Sequence, residues 1–131
     1  MFNSGVATNT TINTGKLVVN EGGIVNNTDI TGYSSLHLYG TANKTNLTRS
    51  SNGFSAKFYI YDKAIANNTT LTEHMVVEKG GIANDTIVND GKLYLSLDAT
   101  TNDTIVEAGG ELEAKEGSLL NGLNWLVVTK T

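Results

Sequence analysis

Apolar and polar positions alternate along this chain in short runs, and the runs recur. Leu17 and Val19, Leu36 and Leu38, Phe58 and Ile60, Leu93 and Leu95, and Leu112 and Ala114 each sit two residues apart. A period of two marks a half-buried strand. Met75 and Val77 fit the same slots if the fourth unit is one residue short, which the pattern leaves open by one residue. No unit shows the 3.6-residue spacing of a helix. Ahead of each run stands a second pattern, G-[IV]-[AV]-x-[ND]-T-x-[ILV]. It reads GVATNTTI from Gly5, GIVNNTDI from Gly23, GTANKTNL from Gly40, AIANNTTL from Ala64, GIANDTIV from Gly81 and ATTNDTIV from Ala99, with a worn copy, GSLLNGLN, from Gly117. The start-to-start spacings are 18, 17, 24, 17, 18 and 18.

A fixed period of this size signals a repeat architecture. One unit cannot bury its own apolar face, whereas stacked units bury a continuous stripe. The expectation is therefore all-β: a right-handed parallel β-helix of about seven 18-residue rungs, its hand following the usual sense of strand crossovers. Residues 1–131 form a single solenoid domain, with a longer rung around 40–63.

Within the first half of each unit Thr10 and Ile12 share one parity and Ala7 the other, so a bend near residues 8–9 turns all three inward. Asn9, Asn27, Asn68, Asp85 and Asp103 fall at that bend, and Asx residues tolerate the left-handed conformation. Three inward ladders follow. Ala7, Val25, Ala42, Ala66 and Ala83 form a small-residue ladder, and Thr10, Thr28, Thr45, Thr69, Thr86 and Thr104 a polar one. Ile12, Ile30, Leu47, Leu71, Val88 and Val106 form the third. The slot between the last two holds Thr11, Asp29, Asn46, Thr70, Ile87 and Ile105, a mixed surface that does not suit ice binding.

Composition removes several function classes. The net charge is −4 and the nine basic residues are scattered. Nucleic acid is therefore not an expected partner, and no basic cluster addresses a membrane surface. No segment is long and apolar enough to insert into a bilayer. With no Cys, disulfides and thiol chemistry are excluded. The Met-Phe-Asn-Ser start shows neither a charged n-region nor an apolar h-region, so no signal peptide is visible.

Catalytic chemistry finds little to use. Glycoside hydrolysis needs two facing carboxylates roughly 5–10 Å apart, and the acids here occupy turns or alternate with apolar residues. Glu107, Glu111, Glu113 and Glu116 read as a solvated face. His37 and His74 occupy non-equivalent slots with no ligand partner in view. The calcium-binding nonapeptide is missing, as is a phosphate loop opening a helix. The expectation is no enzyme, and no catalytic, cofactor or metal site.

The candidate chemistry is that of contact. If Phe58 and Ile60 point inward, Tyr59 and Tyr61 point outward. By the same parity His37, Tyr39 and Tyr94 join them on one sheet, flanked by Val18 and Val76. Such amphipathic rings suit protein contacts or stacking on sugars; a ladder that only supports the sheet is the alternative. The longer unit places its excess at residues 48–54, TRSSNGF, which include Arg49, the only Arg. An insertion in a rung becomes a protruding loop, often on the binding face. The candidate interaction residues are thus His37, Tyr39, Arg49, Tyr59, Tyr61 and Tyr94. Asn-x-Thr/Ser triplets begin at Asn9, Asn26, Asn43, Asn46, Asn67, Asn68, Asn84 and Asn102. The repeat itself generates them, because Asx and Thr occupy fixed slots. The last stretch, LNWLVVTKT from Leu123, departs from the repeat, as a final strand over the bottom rung or the start of a continuation.

Units such as GGIANDTIVNDGKLYL (80–95) and TGKLVVNEGGIVNNT (14–28) resemble the passenger repeats of self-associating autotransporter adhesins of the AIDA type. The shared elements are the Gly-Gly doublet, the small residue two places on, the Asx-Thr pair and the G-x-L-x-V run, over most of residues 5–117. The resemblance implies an exported β-helical passenger on a Gram-negative surface, used for cell–cell aggregation, adhesion and biofilm. Its partners would be itself, in homotypic association, or host or bacterial surface glycans. It also allows glycosylation of Ser or Thr by a dedicated transferase. The outer-membrane barrel of that family is not in this chain, so the expectation is a passenger fragment or a stand-alone use of the repeat. Two other readings stay open: a glycan-binding module using Tyr59, Tyr61, Tyr94 and the Arg49 loop, and a passive spacer in an exported protein.

Overall fold

The computed structural model describes residues 5–49 and 56–125. Most of the longer loop expected at 48–54, and the end of the chain beyond Trp125, lie outside them. The described residues contain no helix. Thirteen strands follow one another: β1 (Val6–Val19), β2 (Ile24–Leu38), β3 (Thr41–Thr48), β4 (Lys57–Ile60), β5 (Ile65–Leu71), β6 (His74–Val77) and β7 (Ile82–Val88). They continue with β8 (Lys92–Leu95), β9 (Thr100–Asn102), β10 (Ile105–Val106), β11 (Glu111–Ala114), β12 (Leu119–Asn121) and β13 (Asn124–Trp125). Every pairing is parallel and joins one turn of the chain to the next. The fold is a parallel β-solenoid of about six turns with a spacing near 18 residues.

The count falls short of seven because the last copy is incomplete. Val6, Ile24, Thr41, Ile65, Ile82, Thr100 and Leu119 stack in one register. The return strand stacks only Lys16, Ser35, Lys57, His74, Lys92 and Glu111. The worn copy also enters one residue late. Leu119, not Ser118, faces Thr100, so Gly117 is not the partner of Ala99.

Each turn presents three strand faces, here called first, second and third in chain order. The first two meet at the bend. Asn9, Asn27, Asn68, Asp85 and Asp103 all adopt positive φ there, between 57° and 60°. Lys44 occupies the same corner at φ 62°, a position the Asx rule does not find. A non-Gly residue pays about 1–2 kcal/mol in this region, and Asx side chains reduce that cost by bonding their own backbone. Lys has no such device, so in the third turn the stacked neighbours hold the corner.

Inside the coil the ladders stand as the alternation requires. Val25, Ala42, Ala66 and Ala83 are fully buried, as are Ile30, Leu71, Val88 and Val106. On the third face Leu36–Phe58–Met75–Leu93 and Leu38–Ile60–Val77–Leu95 form two further stacks. Met75 and Val77 both point inward and are fully buried, which settles their slot.

The Thr column interrupts the apolar interior. Its members Thr28, Thr45, Thr69, Thr86 and Thr104, together with Thr101 stacked on Ala83 in the small-residue ladder, are buried, and none of their hydroxyls has a protein hydrogen-bond partner among the described residues. A buried, unpartnered polar group costs about 1–3 kcal/mol. Val has the shape of Thr without the hydroxyl. Thr69→Val is therefore expected to stabilise the fold by about 1 kcal/mol, read as a higher midpoint in urea with unchanged slope. A drop in the midpoint would show that the hydroxyl bonds something.

Candidate interaction face

The outward side of the third face carries most of the expected contact residues. Its central column runs Val18, His37, Tyr59, Val76, Tyr94 and Glu113 in register. Tyr39 and Tyr61 follow one step along the strand direction, where the Tyr61 amide donates to the Leu38 carbonyl. His37, Tyr39, Tyr59 and Tyr61 are drawn into one stacked group. Ring centroids lie 4.6 Å apart for Tyr39 and Tyr61, 4.9 Å for His37 and Tyr59, and 5.8 Å for His37 and Tyr61.

Tyr94 does not join that group, because Val76 stands between it and Tyr59. It pairs instead with His74, at 6.2 Å between ring centroids, and lies under the Lys92 ammonium at 4.5 Å. Lys92 also contacts Glu111 at 3.6 Å and Glu113 at 3.2 Å. Its hydrogen bond with Tyr94, then that with Glu113, raise its pKa above the usual Lys value.

His37 is the best connected of the rings. Its Nδ1 lies 2.8 Å from the Tyr61 hydroxyl and its Nε2 3.2 Å from the Ser35 hydroxyl. The neutral ring satisfies both if Tyr61 donates to Nδ1 and Nε2–H donates to Ser35. Burial, then the nearby charge of Lys16, hold its pKa below the ordinary 6.5. Burial also raises the Tyr61 pKa, with Tyr39, Glu78 and Tyr59 adding to it.

The His37 shift has a definite sign for stability. The unfolded chain takes the proton first as pH falls, so the contribution is complete above the unfolded value and is lost as pH drops through the lower folded one. Acidification from about pH 7.5 to 5.5 is expected to lower the melting temperature more in the parent than in His37→Gln. Equal slopes in the two proteins would remove His37 from the explanation.

Arg49 lies at a different corner and is held within the chain. Its guanidinium meets the Asp90 carboxylate at 3.1 Å, the Asp90 carbonyl at 2.9 Å and the Thr72 carbonyl at 3.2 Å. Nε is 3.4 Å from the carboxylate of Glu73, which is buried. One side chain of the third turn thus ties to residues of the fourth and fifth. Only its half-exposed outer surface is open to a ligand.

The first face carries a feature that the triplet reading passed over. Asn26, Asn43, Asn67, Asn84, Asn102 and Asn121 stack in register, and each later amide donates to the carbonyl oxygen before it. The five distances are 2.9, 2.9, 2.9, 2.7 and 2.8 Å. The signal was in the sequence, since Asn precedes the corner residue in nearly every unit. These amides serve the ladder, in regular strands, which does not favour their modification as glycosylation acceptors.

Charge along the third face is graded. Lys16 and Lys57 flank Ser35 at its upper end, with the aromatic group beside them. Glu111 and Glu113 lie at the lower end around Lys92. No group of three or more acidic, His or Cys residues able to hold a metal occurs among the described residues, and no described helix is long and apolar enough to cross a membrane. No known protein family matches this sequence, and neither does any curated protein.

Proposed function

We propose that this chain is an adhesive rod, a module of an exported bacterial surface protein that associates with further copies of itself through the third face. The observation that carries the reading is the distribution of groups on that face: lysines with the stacked rings beside them toward one end, glutamates around Lys92 at the other. Two copies laid antiparallel, face to face, bring the Lys16 end of each over the glutamate end of the other and set the rings of the second and third turns against the Val76 and Tyr94 positions of the second copy. Such a surface is self-complementary, as a two-fold contact requires. Tyr is enriched at contacts of this kind. Many weak contacts along two rods reinforce one another, since each raises the effective concentration of the next. The repeat pattern shared with AIDA-type passengers points the same way and supplies the bacterial surface as the setting.

Sedimentation velocity over a concentration series tests it. The parent chain is expected to associate with rising concentration and to dissociate as salt is added. Tyr59→Ser/Tyr61→Ser is expected to stay monomeric over the same range. A parent chain that remains monomeric throughout would sink the reading.

A further inference from the structure

The Tyr61 hydroxyl meets a base directly, 2.8 Å from His37 Nδ1. In the neutral ring that satisfies both of its contacts, Nδ1 accepts from Tyr61 while Nε2–H is spent on Ser35. Burial, then Lys16, hold the His37 pKa below 6.5, so at neutral pH the ring is mostly uncharged and Nδ1 can take a proton. Burial raises the Tyr61 pKa, with Tyr39, Glu78 and Tyr59 adding to it, so the phenol keeps its proton until something else removes it.

Oxidation makes that proton decisive. A neutral phenol that loses an electron becomes a very strong acid, so the electron leaves easily only where a base takes the proton in the same step. A base within hydrogen-bond reach, about 2.6–3.2 Å, meets this condition. Tyr61 is also part of a stack. Its ring lies 4.6 Å and 10° from Tyr39, and 6.2 Å and 21° from Tyr59. Overlapping π systems pass electrons readily. Tyr61 is half-buried, whereas Tyr39 is 41% exposed. The stack therefore joins a shielded phenol with a base at hand to an open ring that an oxidant or a second phenol can reach. Tyr94 is the contrast. The Lys92 ammonium lies 4.5 Å over its ring, and a cation there opposes the loss of an electron.

We infer that this cluster is an oxidative coupling site: Tyr61 gives up an electron, His37 takes its proton, and the radical emerges at Tyr39 to join a second phenol. The oxidant is a one-electron acceptor of the haem-peroxidase class, driven by hydrogen peroxide. In the first step the electron passes from Tyr61 through Tyr39 to the oxidant and the proton passes to Nδ1. Tyr39 then gives an electron to Tyr61 and its own proton to water, while Nδ1 returns its proton to the Tyr61 oxygen. The Tyr39 radical meets a phenoxyl radical made by the same oxidant. A carbon–carbon bond forms between positions ortho to the two oxygens. The ring hydrogens at those positions leave as protons and the oxygens are reprotonated, which restores both phenols. In sum two electrons and two protons are removed, and they reduce one hydrogen peroxide to two waters. The reaction occurs on a single rod and does not rest on self-association.

The test oxidises the dilute full chain with photogenerated ruthenium(III) tris-bipyridine, a one-electron oxidant, in the presence of N-acetyltyramine as the second phenol. The rate is read from tyrosyl radical absorbance, and the site from peptide mass mapping of the adduct. Exposure alone would place the adduct on Tyr33, which is 68% exposed; the expected result is an adduct mainly on Tyr39. His37→Gln is expected to slow radical formation by at least about tenfold. Free imidazole should restore most of that loss, which a merely structural role would not allow. Tyr61→Phe, which keeps the ring and removes the hydroxyl, should abolish the preference for Tyr39. The inference is overturned if the adduct follows exposure to Tyr33, if His37→Gln is oxidised as fast as the parent, or if imidazole leaves that variant unchanged. Labelling of Tyr39 at the parental level in Tyr61→Phe would overturn it as well.

Discussion

Phe58→Ala is expected to cost about 3–5 kcal/mol, the usual range for emptying a buried aromatic site. Phe58 is fully buried and is the largest side chain in the described core. It stands in the third-face stack between Leu36 and Met75. The backbones above and below it are fixed by parallel pairing, so the neighbours cannot close the cavity by sliding together. Total stability of a domain this size is about 5–15 kcal/mol, so the substitution removes a large share. Thermal unfolding should show a fall of roughly 10–20 °C. Phe58→Leu, which keeps most of the volume, should recover more than half of the loss. A cost under about 1 kcal/mol would mean that the third turn collapses around the gap, contrary to the rigid stack.

Gly32→Ala is expected to cost about 2–5 kcal/mol, from two separate sources. Gly32 lies in a bulge, where the second turn carries one more residue than the first because Ile12 faces Ile30 yet Thr14 faces Tyr33, and its φ of 70° is a region that an L side chain occupies at a cost of about 1–2 kcal/mol. A methyl group there would also run into the Asn13 carbonyl oxygen and approach the Asn13 side-chain oxygen to 2.9 Å. The first contact is with backbone and cannot be relieved by a rotamer change, so the overpacking adds about 1–3 kcal/mol. Gly15 makes a useful control, because a methyl group there meets nothing within 4 Å, although its φ of 116° is also unfavourable. Urea denaturation of the two variants separates the terms. Gly32→Ala should be clearly the worse, and similar losses would show that the bulge yields to the methyl group. Because Gly32 sits in the bulge beside Tyr33, amide shifts around Ser34 and Ser35 should also move.

Much of the fold was legible because burial in a solenoid is strictly periodic. Leu36, Phe58, Met75 and Leu93 share a slot in the sequence pattern, and a shared slot in stacked turns becomes a physical column. The bend was legible through chemistry, since Asn and Asp at a recurring position point to left-handed backbone. Lys44 escaped because its conformation is imposed by neighbours and not by its own side chain. The register of the last turn escaped for a related reason: a worn copy has too few landmarks to distinguish Gly117 from Ser118 as the partner of Ala99.

The candidate face was legible only in part. Parity alone placed His37, Tyr39, Tyr59 and Tyr61 outward together, and their stacking follows from the spacing between turns. Parity could not show that Val76 would isolate Tyr94. It could not show that Arg49 would reach Asp90, a partner 41 residues away in sequence. The extra residue that turns Tyr33 outward in the second turn was passed over because a repeat alignment treats such a residue as noise.

The Asn stack gives the rod a direction that its backbone lacks. Sheets carry only a small net dipole. The side-chain amides all point the same way, from Asn121 back to Asn26. Aligned groups of this kind polarise one another, so the column behaves like a helix dipole written in side chains. Among the described residues its head is an unpaired N–H at Asn26 and its tail an unpaired carbonyl oxygen at Asn121. An interior member such as Asn67 both gives and receives, so replacing it would divide one long arrow into two short ones, whereas replacing a terminal member would only shorten it.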